Sequence, residues 1–219
     1  MTNIDALKAR NAARWHSMHV KASLLPQFKA TVDRLIAPVA QARYQGVTSR
    51  LIDQSKTDPS VHIVPWWFIA IVSEREYGGP PNWDKQLGQG DPLNEVSHND
   101  PTGMGPYLPH EWDVTPGNDP WTRCCLEVLT SKPPFPAKWS DWSIGGILTL
   151  WEEYNGLGYA ARGIASPYVW SGSDQYLAGK FIRDHVFDPK KVDVQEGCAP
   201  LLAVMASQYP ALKNIPGFI

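Results

Sequence analysis

Apolar positions recur at helical spacing along most of the chain. Leu24, Leu25, Phe28, Val32, Leu35, Ile36 and Val39 fall on one face of a helical repeat, so a helix is expected over about 24–45. Ser23 stands where its N-cap belongs, with Pro26 in the first turn. Pro38 has no N–H to donate and is expected to kink or split it. Ahead of it, Thr2 followed by Asp5 resembles a capping box for a helix to about Met18. Further helices are expected at 47–55, at 65–77 behind Pro65, and from Asp119-Pro120 to about Leu129. Another is expected over 141–155 behind Ser140, bearing Trp142, Ile144, Leu148, Leu150, Trp151 and Tyr154. Segments 174–185 and Cys198 to Ser207 supply the last helices.

Between these helices lie two long stretches without periodicity. Residues 78–118 are rich in Gly and Pro, yet Trp83, Leu87, Leu93, Met104, Tyr107 and Trp112 are interleaved, which argues for ordered loops with at most a small hairpin. Residues 156–171 form the second such loop. The pattern reads as an all-α fold in one domain over 1–219, with 1–55 as a candidate accessory helical layer and 65–208 as the core.

Composition narrows the function. Net charge is −2 and no basic block occurs, so nucleic acid is not an expected partner. No apolar run approaches the roughly 18 residues of a membrane span, so no stable membrane insertion is expected. Residues 1–20 carry no apolar signal-peptide segment, which leads us to expect synthesis in the cytoplasm. The three cysteines, two of them adjacent, read as small core residues in a reducing compartment. No His-x-x-x-His or Cys-x-x-Cys spacing occurs, so neither a metal nor another cofactor is expected. The ten tryptophans exceed what a core of this size needs, and rings on loops suit the apolar faces of sugars. Packing in the core is an equal alternative for any one of them.

The richest stretch for chemistry is Phe68-Ile69-Ala70-Ile71-Val72-Ser73-Glu74-Arg75-Glu76, an apolar helical run that ends in two acids before Tyr77-Gly78-Gly79-Pro80-Pro81. A carboxyl at the end of a hydrophobic helix, facing a cleft, is placed to have its pKa raised for general-acid work. Glu74 and Glu76 project about 200° apart on a helix, so only one faces such a cleft, and periodicity does not choose between them. Asp91, in Gly88-Gln89-Gly90-Asp91-Pro92, is a candidate second carboxylate or an Asp-Pro turn bonded to its own backbone. Asp84 and Asp100 are weaker candidates. Asn155 is a candidate substrate contact or a helix C-cap, and Arg162 a candidate for a carboxylate. Ser97-His98 and Ser166 lack the surroundings of a nucleophile elbow.

Phe68 to Glu76 resembles the catalytic-helix segment of goose-type lysozymes, with Glu76 at the catalytic glutamate and Arg75 at the arginine; the serine is displaced by one position, to Ser73. Four blocks over about 65–200 are similar to a phage endolysin-like family of the lysozyme superfamily. They are Glu74-Arg75-Glu76, Leu87 to Leu93, Tyr154-Asn155-Gly156-Leu157-Gly158-Tyr159, and Ser166 to Gly172. Ser73 stands where that family carries His. The resemblance implies a lysozyme-like helical domain whose long loops form a glycan cleft. It implies muramidase or endolysin activity on the β-1,4 bond between N-acetylmuramic acid and N-acetylglucosamine, by a monomer reaching the cell wall after release. Glu76 would be the acid, Glu74 the alternative, and Asp91 the second carboxylate. Trp83, Gln89, Tyr107, Asn155, Tyr159, Arg162, Tyr168 and Trp170 would contact the glycan. Lytic transglycosylation, or a non-catalytic glycan-binding or virion protein of the same fold, are the alternatives.

Overall fold

Eight α-helices and one two-stranded hairpin form among the residues that the computed structural model describes, 2–98, 104–110, 118–183 and 185–219. In chain order they are α1 (Ile4–Ser17), α2 (Leu25–Leu35), α3 (Pro38–Ser55), α4 (Trp66–Tyr77), α5 (Pro120–Ser131), α6 (Ile144–Tyr154), the single turn α7 (Pro167–Trp170), β1 (Lys180–Arg183), β2 (Val186–Asp188) and α8 (Cys198–Gln208). The expected all-α character holds for the bulk of the described chain. No helix among the described residues is long and apolar enough to cross a membrane.

The helix boundaries follow from caps. Asn3, not Thr2, caps α1, its side chain accepting the Ala6 N–H at 3.1 Å. Pro38 does split the expected 24–45 helix: α2 stops at Leu35 and Pro38 opens α3, which then runs unbroken to Ser55. A proline fits a first turn, where its missing N–H has no helical partner to lose. Ser143, not Ser140, caps α6, its hydroxyl accepting the Gly146 N–H at 3.2 Å.

The expected helix at 174–185 is replaced by the β1–β2 hairpin. Phe181 pairs with Phe187 across it, and both rings stand edge-on to Tyr159 at 5.0 and 6.3 Å. Gly179, at φ +105°, leads into the first strand, and a Cβ there would lie 2.8 Å from the Phe187 ring. The aromatic cluster and the glycine outweigh the helical spacing, because tertiary packing overrides local propensity.

The chain divides into two compact units, residues 1–32 with 141–219, and residues 33–140. Segment 1–55 is therefore divided between them. In the first unit α1 lies along α6, closely enough that a Cβ on Gly145 would sit 2.8 Å from the Lys8 carbonyl oxygen. Leu7, Trp15, Ile147, Leu150 and Trp151 on these helices are buried, as are Val169 and Trp170 on α7 and Leu201 and Met205 on α8, which packs on α7.

In the second unit α3 packs on α4 and α5. Helix α4 is apolar around its whole circumference from Trp67 to Val72, and all six residues are buried, as such a helix must be. Cys124 and Cys125 are buried free thiols on α5, and burial pushes the Cys124 thiol up to about 12.

Candidate functional site

The acidic end of α4 is built around a guanidinium. Helix α4 closes on Gly78, at φ +82°, whose N–H returns to the Ser73 and Glu74 carbonyls. Arg34, near the end of α2, meets Glu74 with both nitrogens: Nη2 donates to Oε1 at 3.1 Å and Nη1 lies 3.0 Å from Oε2. Nη1 also donates to the carbonyls of Gly78 at 2.6 Å and Pro80 at 2.8 Å. Helix C-termini leave carbonyls without helical partners, and Arg34 serves the turn that follows. Gly79 has to be glycine: its φ is +56°, and a Cβ would come within 2.7 Å of Glu74 Oε2. Glu74 is thus committed to Arg34. Glu76, half-buried in the last turn, lies outside this ion pair.

The Gly88–Pro92 loop docks on that same turn. Gly90, at φ +69°, sits so close that a Cβ would be 3.0 Å from the Glu76 carbonyl oxygen. This places exposed Gln89 and half-buried Asp91 on either side of the contact in the chain. Asp91 accepts from Ser97 Oγ and the His98 N–H at 3.0 Å each, and pairs with His98 Nδ1 at 3.0 Å. Burial opposes its charge, but the His98 N–H and ring and the Ser97 hydroxyl outweigh burial and hold the carboxyl below its usual range. Both oxygens therefore serve the loop itself, and the Asp-Pro turn is the reading that fits. Ser97 and His98 are spent on the same turn.

A cavity of about 620 Å³ opens in this unit, and Trp83 and Tyr107 both line it. Trp83 and Trp121 stand edge-to-face at 4.9 Å. Arg43 stacks over both rings, 4.7 and 5.4 Å from their centroids, and is held by Asp119 at 2.5 Å. Trp121 Nε1 donates to the Tyr77 hydroxyl at 2.9 Å, tying the cavity wall to the residue after Glu76. Tyr107 donates its hydroxyl to Glu127 at 2.7 Å. Exposed Asp84 and Asn94 complete the polar lining. Neither Glu74 nor Glu76 is part of this wall.

The sequence did not point to Arg34, Arg43, Trp121 or Asn94, and it put Asp84, which lines the cavity, behind Asp91. The two arginines meet partners 40 and 76 residues away, which no local spacing signals. Asp100 and Trp112 lie outside the described residues.

The remaining predicted contacts belong to the first unit. Tyr159 and Tyr168 are buried and Trp170 is 0% exposed, so none offers an open ring face for a sugar. They pack within the first unit, and Tyr107, 8% exposed, is likewise buried in the second. The Tyr159 hydroxyl accepts the Phe181 N–H at 2.9 Å. Asn155 is the exposed C-cap of α6, its amide 3.4 Å from Ser166 Oγ. Arg162 is exposed and stacks over Phe181 and Phe187 at 5.4 and 5.1 Å. Among the described residues no group of three or more His, Cys, Asp or Glu side chains is arranged to hold a metal ion.

No protein-family model, no curated protein and no solved structure matches the chain.

Proposed function

We propose that the protein is a lysozyme-type peptidoglycan hydrolase that cleaves the β-1,4 bond between N-acetylmuramic acid and N-acetylglucosamine. One observation carries the reading: Trp83 and Tyr107, far apart in sequence, border one cavity in the unit whose buried helix ends in Glu76. A concave, mostly apolar pocket with aromatic rings and a few polar groups on its wall is the form sugar sites take, and its volume suits a short stretch of glycan. Glu76 is the acid in this reading because it falls at the catalytic glutamate of the lysozyme-like segment, while Glu74 is ion-paired with Arg34. It donates its proton to the glycosidic oxygen as the bond to C1 breaks; water then adds to the oxocarbenium-like C1 and gives up a proton, which returns Glu76 to its acid form. Asp84, the carboxylate on the cavity wall, takes the part that Asp91 is too heavily hydrogen-bonded to play.

The engagement of Asp91 also supports a second reading, lytic transglycosylation. There one acid suffices: the muramic 6-hydroxyl attacks C1, and its proton returns to Glu76.

Turbidity of chloroform-treated Gram-negative cells tests the proposal. Wild type is expected to clear them, and Glu76→Gln to slow clearing by about 10²-fold or more. Lysis by Glu76→Gln but not by Glu74→Gln would exchange the two acids. No clearing by wild type would leave a glycan-binding protein without catalysis. Mass spectrometry of the released muropeptides separates reducing ends from 1,6-anhydro ends, and so hydrolysis from transglycosylation.

A further inference from the structure

We infer that Arg34 is a positioning residue for Glu76, acting through Glu74 and the turn at 78–80; the inference rests on the reading of Glu76 as the acid. One guanidinium bonds Glu74 Oε1 and ion-pairs with Oε2 inside the last turn of α4, and it bonds the Gly78 carbonyl at its cap and the Pro80 carbonyl beyond it. Helix ends fray unless their terminal groups find partners, and Glu76 sits in the turn exposed to that fraying.

The turn is folded onto the ion pair itself. A side chain at Gly79 would strike Glu74 Oε2 at 2.7 Å and approach Arg34 Nη1 at 3.4 Å. Just beyond Pro80 come Pro81, Trp83 and Asp84, all on the cavity wall. The same four contacts therefore fix both the backbone that bears the acid and the strand of chain that begins the sugar-facing wall. Only a planar fork reaches a carboxylate and two carbonyls at once. A lysine ammonium keeps the charge and loses that geometry.

The experiment uses purified peptidoglycan, with released saccharide ends counted against substrate concentration. Arg34→Lys is expected to lower kcat between about 10- and 100-fold while KM moves less than about threefold, the cost of a small misplacement of the acid. Arg34→Lys combined with Glu74→Gln is expected to be no slower than the worse single variant, because both remove one contact. Guanidinium ion added to Arg34→Ala is expected to restore part of the rate. Rates are taken per folded molecule, with the folded fraction read from thermal unfolding. Wild-type kcat in Arg34→Lys, or a loss that disappears after correction for folded fraction, overturns the inference and leaves the hydrolase reading intact. Multiplying losses in the double variant overturn it as well. Absence of cleavage by wild type overturns both.

Discussion

Two loops of this chain look alike on paper and fold by different means. Residues 78–110 and 156–172 are both rich in Gly, and both carry Pro, Trp and Tyr. In 156–172 the rings turn inward: Tyr159, Tyr168 and Trp170 are buried, and Trp170 anchors α7 in the core beside α8. In the described part of 78–110 polar struts hold the backbone instead. Gln86 donates to the Pro92 and Glu95 carbonyls at 2.9 and 2.8 Å, Asp91 gathers Ser97 and His98, and Arg34 gathers Gly78 and Pro80. A loop whose carbonyls and N–H groups are satisfied by side chains need not spend its aromatics on packing. Half-buried Trp83 and the largely buried Tyr107 then border a cavity. The difference lies in what satisfies each loop's backbone, not in how many rings it carries.

The largest effects test this contrast directly. Trp170→Ala removes a fully buried indole and is expected to destabilise the first unit by about 3–5 kcal/mol, read from urea unfolding. Trp83→Ala removes a half-buried ring and is expected to cost less than half as much stability. It should nevertheless weaken the binding of a chitotriose probe, followed by tryptophan fluorescence, by about 5- to 10-fold, while binding by folded Trp170→Ala stays unchanged. Trp170→Ala folding with wild-type stability, or Trp83→Ala binding as wild type does, would break the comparison.

The sequence made the helices legible because a buried face repeats every few residues, and α1, α4, α5 and α6 lie within a few residues of where that repeat puts them. The hairpin at 180–188 was not legible, since its stability comes from Phe181, Phe187 and the distant Tyr159 meeting at one point. The site was legible in its local parts only. Glu76, Gln89, Trp83 and Tyr107 stand in recognisable stretches, and a glycine-rich loop next to the helix end was predictable in kind. That Glu74 is ion-paired with Arg34 was not, because Arg34 reaches it from another helix. Nor does an aromatic stretch reveal whether its rings face inward, as Trp170 and Tyr168 show.

The smallest effects separate the two units by the sign of their response to pH. Asp91 in the second unit has its carboxyl depressed, with burial opposing and the His98 and Ser97 hydrogen bonds prevailing. Its contribution is present above the unfolded value near 3.9 and is lost as pH falls through the folded one. Glu152 in the first unit is the reverse. It is fully buried on α6, with Asn11 Nδ2 donating to Oε2 at 3.0 Å and Oε1 left without a hydrogen bond among the described residues. Burial raises its carboxyl, and Asn11, Arg10 and Arg14 pull the other way without cancelling it. The folded state then holds the Glu152 proton more tightly than the unfolded state does. Stability from this group is greatest below the unfolded value, about 4.3, and declines as pH rises through the folded one. Asp91→Asn is therefore expected to show its full deficit near neutral pH and to converge on wild type as pH falls below about 3.9. Glu152→Gln, which cannot ionise, is expected to gain on wild type as pH rises from 4 to 8. Urea midpoints for the three proteins across that range read both, each difference on the order of 1 kcal/mol. Curves that move in the same direction would mean that one of these carboxyls is held by partners other than those named.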